Sequence, residues 1–210
     1  MTFLRALAVA GLILLAGGGA FVLWQRRAEA AEIERLARDL RLGPGSRIAD
    51  VGAGKGSFAL ALARRVGDDG HVFATEIDAD LVRRIRAAAE REGLRNVTAI
   101  ASAAASTGLA PGCCEGIYLR GVYHHLTDPE AIDRGLHEAI EPGGRLVVID
   151  FEPSWLFTLL APVEGVPENR GGHGVPSFVV AGELEAVGFV LERSIDDWSS
   201  RNYALIFRRP

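Results

Sequence analysis

From Ser46 onward the chain alternates between short β-rich runs and longer amphipathic ones, and this alternation limits the folds available to it more than any other feature. "RIADV" predicts a strand, "GSFALALARRV" a helix, "HVFATEI" a strand, and "DADLVRRIRAAAEREGL" a helix capped by Asp78. "NVTAIA" and "EGIYLR" predict the next strands, on either side of a loop through "GLAPGCC". "DPEAIDRGLHEAI" predicts a helix with Pro129 in its first turn, and "GRLVVIDF" a strongly apolar strand. Strands that alternate with helices at this spacing form a parallel sheet covered on both faces, so the fold class is α/β. Right-handed crossovers then bring the C-terminal ends of the strands to one edge, where ligands bind.

The tail departs from the pattern. "SFVVAGELEAVGF" predicts a helix, and "FVLERSIDDW" and "NYALIFRRP" two strands separated only by "SSR". That link is too short for a parallel crossover, so the two strands form an antiparallel hairpin. The count is seven strands in a doubly wound, mainly parallel sheet. Hydrophobic residues make up 49% of the 210, enough for a full core, and the net charge of -4 without a Lys/Arg block argues against a nucleic-acid partner. The adjacent Cys113 and Cys114 lack the spacing of a zinc site and are expected as a reduced pair on a loop.

The segment before the sheet is a separate object. Ala6 to Trp24 carries no charge and as a helix would span roughly 28 Å, close to the ~30 Å of a bilayer core. Trp24 ends the run, where indoles prefer the interface, with Arg26 and Arg27 beyond it. Residues 1–27 are therefore expected as a membrane segment, with a cleaved secretory signal as the alternative. Residues 28–45 form a lead-in: Ile33, Leu36 and Leu40 fall on one helical face, ended by "GPG" at Gly43–Gly45, and that face is expected to pack on the main domain, residues 46–210.

The first strand runs into "IADVGAGKGSF", which places Gly52, Gly54 and Gly56 at alternate positions. A pyrophosphate-binding loop needs G-x-G-x-x-G, and here Ser57 stands where the third glycine would be. Asp50 lies just before the loop, where a carboxylate repels phosphate and suits a cation. Glu76 ends the second strand, from which a carboxylate accepts the hydroxyls of a ribose. A ribose, no phosphate and a positive end together describe S-adenosylmethionine (SAM).

At these residues the chain resembles the class I SAM-dependent methyltransferases, with their Rossmann-like sheet. "IADVGAGKGSFALALA", "ATEID", "GIYLRGVYHHLTDPEAI" and "IEPGGRLVVIDF" look like family blocks in their family order, and the closing hairpin fits too; the resemblance spans Leu40 to Pro210. It implies that Asp50, Gly52, Ala53, Gly54 and Gly56 hold the methionine part, that Glu76 holds the ribose, and that Ile77 lies along the adenine. Arg120, at the end of strand four, joins the cofactor set. Ala103 or Ala104 takes the place where the family usually carries an acid that bonds the adenine amino group, and Ser102 or backbone groups are the candidates to replace it.

Methyl transfer from a sulfonium asks the protein mainly to align its partners, with a base where the acceptor must lose a proton. Tyr123, His124 and His173 are the substrate-facing candidates; His124 is expected to face the site and His125 to shape the loop. Adjacent histidines converge poorly on one ion, so no metal is expected. "PSWLFTLLAPV" and "ENRGGHGVPS" are expected near the acceptor, an unidentified small molecule that the membrane segment suggests is lipid- or quinone-like. SAM is a cytosolic metabolite, so an active domain faces the cytoplasm. A nicotinamide-dependent oxidoreductase, or a non-catalytic SAM-binding or scaffold protein on the same fold, are the alternatives.

Overall fold

The computed structural model describes residues 24–153, 173–199 and 201–210. The apolar run from Ala6 lies outside these residues except for Trp24, as do "SWLFTLLAPV" and the first part of "ENRGGHGVPS". Among the described residues no helix is long and apolar enough to cross a membrane.

A first helix, α1, covers residues 24–39, and a boundary between two compact units falls within it, after Leu36. The helix ends earlier than the "GPG" punctuation implies. Arg41 takes the left-handed conformation (φ 58°), with Leu42 N donating to Ala37 O and Arg41 N to Arg38 O. Those two bonds are a Schellman closure, built here on arginine where glycine is usual.

From there the elements follow in alternation: β1 (Arg47–Val51), α2 (Ser57–Val66), β2 (His71–Glu76), α3 (Ala79–Arg91), β3 (Val97–Ala101), β4 (Cys114–Arg120), α4 (Pro129–Ala139), β5 (Ile140–Phe151), α5 (Ser177–Ala186), β6 (Val190–Ser199) and β7 (Asn202–Arg208). The Asp78 carboxylate caps α3 by accepting from Asp80 N and Leu81 N, and Asp128 caps α4 by accepting from Ala131 N ahead of Pro129.

The sheet order is β3-β2-β1-β4-β5-β7-β6. β1 to β5 are parallel, while β7 pairs antiparallel with both β5 and β6. The predicted hairpin is therefore present, and β7 inserts between β5 and the edge strand β6. The order reverses between β1 and β4, so the cleft beyond their C-terminal ends is the switch point of the fold. The central strands are almost wholly buried: β4 packs Ile117, Tyr118 and Leu119, and β5 packs Leu146 to Ile149, all at 0% exposure.

Two local expectations are corrected. Cys114 opens β4 instead of sitting on a loop, and both free cysteines are buried. The fifth strand starts at Ile140 rather than Gly144, because Cys114 pairs with Ile140 while Gly116 pairs with Arg145, and the surplus residues between form a bulge. The C-terminus is stitched to that bulge: Arg209 N donates to Gly144 O and Gly143 N to Arg209 O.

Candidate active site

The loop between β1 and α2 is held from below by β2. Gly52 N and Ala53 N both donate to Thr75 O, each at 2.9 Å. Gly52 has φ 76°, and a Cβ there would stand 2.5 Å from Val122 Cγ2, so glycine is required twice over. Gly56, at φ 78°, is the N-cap of α2 and offers no side-chain cap. The start of α2 thus has no side-chain cap of its own, and the Ala59 amide in its first turn acts on the Asp50 carboxyl.

Glu76 ties this loop to the next. Its Oε2 accepts from Gly54 N at 2.8 Å, and its Oε1 from Ile77 N at 2.8 Å and Asp78 N at 3.2 Å. Three amides fix the carboxylate in place, and Oε2 keeps a lone pair for a further donor. A diol engaging both oxygens has only the long Asp78 bond to displace.

Beside Glu76 a cavity of about 400 Å3 opens between the loops after β1, β2, β3 and β4. Val51, Gly52, Glu76 and Ile77 line one wall, Ser102, Ala103, Ala104, Ser106 and Thr107 the second, and Gly121, Val122, His125 and Leu126 the third. That volume lies within the ~300–1,000 Å3 of small-molecule sites. Ile77 is 64% exposed, a large apolar surface facing the opening. The wall after β3 carries hydroxyls and no carboxylate, and it is braced by paired bonds from Ala103 N to Ser106 O and from Ser106 N to Ala103 O.

Asp50 lies under the loop, 3% exposed. Burial pushes its carboxyl from 3.8 up to about 7, and the nearby Glu76 charge pushes the same way. The Tyr118 hydroxyl beside it, the Arg120 charge and the Ala59 amide offset only part of that cost. Arg120 stacks over Phe58, its guanidinium carbon 4.6 Å from the ring centre. Of the expected cofactor residues, Gly52, Glu76, Ile77 and Ala103 line the cavity; Gly54 is tied to it through Glu76, and Asp50, Ala53, Gly56 and Arg120 lie outside its wall.

The turn after β4 sorts its three polar residues differently from expectation. Tyr123 is fully buried, and its hydroxyl bonds to Asp133 Oδ2 on α4 (2.8 Å) and Glu183 Oε2 on α5 (3.0 Å). Its position ties two helices together, away from the cavity wall. His124 is also buried, its Nδ1 2.8 Å from Asp150 Oδ1. His125 is the one of the pair that lines the cavity. His173, just before α5, is half-buried and close enough that its charge acts on His125. Asp150 was not singled out from sequence; the acid ending "VVID" was the available signal.

A switch-point cavity lined by a glycine loop and a strand-two acid is the arrangement expected of an α/β protein of the SAM-dependent type. A family model described as "Methyltransferase domain" matches residues 42–171, and the chain belongs to that family. It is 26% identical over 181 residues to a ubiquinone/menaquinone biosynthesis C-methyltransferase UbiE of Vibrio parahaemolyticus, covering 85% of this chain and 65% of the relative. The chain therefore spans slightly under two thirds of that relative's length. A SAM-dependent methyltransferase from Aquifex aeolicus superposes with TM-score 0.70 at 20% identity, over 85% of this chain and 89% of the other. The [4+2]-cyclase SpnF superposes with TM-score 0.69 at 20% identity, over 87% and 82%. SAM is the donor that the family implies, and the residues described above suit its parts: an acid for the ribose, an apolar face for the base and a buried acid for a cation.

Proposed function

We propose that the protein transfers the methyl group of SAM to a small quinol-like acceptor at the cytoplasmic surface of a membrane. The observation that carries this reading is the convergence of Glu76, Ile77 and the glycine loop on one cavity at the switch point. The relatives named as ubiquinone/menaquinone C-methyltransferases supply the acceptor class. The uncharged run Ala6–Trp24 supplies the membrane, with the N-terminus outside so that the domain meets cytosolic SAM.

The test is an equilibrium titration of the full chain with S-adenosylhomocysteine, with NAD in parallel. Binding of the first and not the second supports the reading; absence of S-adenosylhomocysteine binding at millimolar ligand sinks it. Removing residues 1–27 is expected to leave that affinity within about twofold while shifting the protein from the membrane to the soluble fraction on cell fractionation. A truncated protein that stays with membranes would refute the anchor.

A second reading has its own observation. Ala103 or Ala104 stands where the family usually carries an acid, both lining the cavity, and a fold neighbour, SpnF, is a [4+2]-cyclase. A protein that binds SAM without transferring the methyl would fit both. Ala103→Asp is expected to tighten S-adenosylhomocysteine about tenfold or more, since a hydrogen bond to a charged group is worth ~1.5–3 kcal/mol. An unchanged dissociation constant would show that the Ser102–Thr107 wall already satisfies the base.

A further inference from the structure

Two buried polar residues, His124 and Asp150, lie behind the cavity wall rather than in it. Asp150, next to last in β5, is wholly buried, and its Oδ1 lies 2.8 Å from His124 Nδ1. The same carboxylate accepts from His124 N at 3.2 Å and from Phe151 N at 2.9 Å. Removing a carboxylate from water is costly, and these three contacts are what compensate it. With its Nδ1 hydrogen directed at Asp150, His124 is fixed in one tautomer and one orientation. Its ring sits between Phe151, centroids 4.7 Å apart, and His125, centroids 3.9 Å apart. Phe151 and Asp150 thus hold the His124 ring, and His125 packs against it, tilted by 43°, while lining the cavity.

We propose that Asp150 and His124 are positioning residues that hold His125 at the cavity wall as the base of the methyl transfer. The inference rests on the methyltransferase reading and assigns one role within it. As the acceptor's electron pair forms a bond to the methyl carbon, the carbon–sulfur pair stays on sulfur. The proton that the acceptor loses from oxygen or carbon passes to the free ring nitrogen of His125, and then to water.

A base must be neutral before it acts. Burial holds His125 below the ordinary histidine range, and charge on His124 and on His173 pushes the same way; Asp150 alone opposes them. Those groups are the ones that face it, from its own turn, from the segment leading into α5 and from β5. Near pH 7 the ring is therefore a free base, with the His124 ring packed behind it.

The test uses the full chain, labelled with 15N in histidine and saturated with S-adenosylhomocysteine, so that no acceptor is needed. Where its ring is neutral, His124 is expected to show the Nδ1–H tautomer, and His125 to titrate below its ordinary 6.5. In Asp150→Asn the His124 tautomer is expected to become mixed and the His125 midpoint to fall further, because the one group raising it is gone. His125→Gln, at an exposed position, is the variant that needs no repacking. With a short-chain hydroquinone and radiolabelled SAM it is expected to lose about a hundredfold in turnover and the acid limb of the pH–rate profile, with S-adenosylhomocysteine affinity unchanged. A His125 that is cationic at pH 7, an Asp150→Asn protein in which neither signal moves, or a His125→Gln protein with wild-type turnover would each overturn the proposal. A wild-type chain that fails to bind S-adenosylhomocysteine would overturn the methyltransferase reading instead.

Discussion

Replacing Glu76 by alanine is expected to weaken S-adenosylhomocysteine binding by a hundredfold or more, the largest loss from any single side chain at the site. Two ribose hydroxyls donating to one carboxylate are worth ~1.5–3 kcal/mol each, which places the loss between roughly a hundredfold and ten-thousandfold. The same substitution removes the acceptor of Gly54 N and of Ile77 N, so the empty loops also lose their shared anchor. Glu76→Gln keeps one acceptor oxygen and is expected to fall between wild type and alanine. Calorimetry on the three proteins, with melting curves to confirm folding, checks the order. An alanine variant within threefold of wild type would remove Glu76 from the ribose role.

The second large effect is a dependence of binding on pH through Asp50. Its carboxyl is held up at about 7, so below that pH the empty site carries a neutral acid under the glycine loop. A cationic ligand favours the ionised form, so binding in that range must expel a proton. Affinity for S-adenosylhomocysteine, whose ammonium is the cation, is expected to rise as pH increases to about 7 and then level off, by up to tenfold per unit. Titrations at pH 6 in two buffers of different ionisation enthalpy should report proton release, and Asp50→Asn should abolish both the release and the slope. Stability runs the other way. Between pH 3.8 and about 7 the unfolded chain gives up a proton that the folded chain keeps, so this group costs the empty protein stability as pH rises through that window. The cost is on the order of 4 kcal/mol when fully developed. A flat affinity between pH 5.5 and 7.5 would show that Asp50 does not sense the ligand.

The sheet was legible because each strand and helix announces itself locally. "HVFATEI" and "RIADV" have strand composition, Asp78 and Asp128 stand where caps belong, and three residues between the last strands exclude a crossover. The cofactor side was legible for a similar reason, since a glycine loop and the acid ending strand two are fixed by backbone geometry. The acceptor side was not. His124 and His125 are neighbours on one tight turn, and only the packing of Asp150 and Phe151 decides which ring faces inward. Asp150 is 26 residues from His124 in sequence, and no local pattern links them. Cys114 was misplaced because strand β4 begins inside a Gly-Cys-Cys stretch whose pairing partner, Ile140, lies beyond a helix.

The polarity of the sheet has a practical consequence for any binding measurement. β7 runs against its parallel neighbours, so the chain finishes at the edge opposite the cavity, where Arg209 is pinned by Gly143 and Gly144 and its guanidinium reaches Glu138 O and Ile140 O. A C-terminal tag captured on a biosensor surface therefore leaves the ligand opening toward solution. A tag inserted between β6 and β7 would sit on the same side as the opening and compete with the molecules being measured.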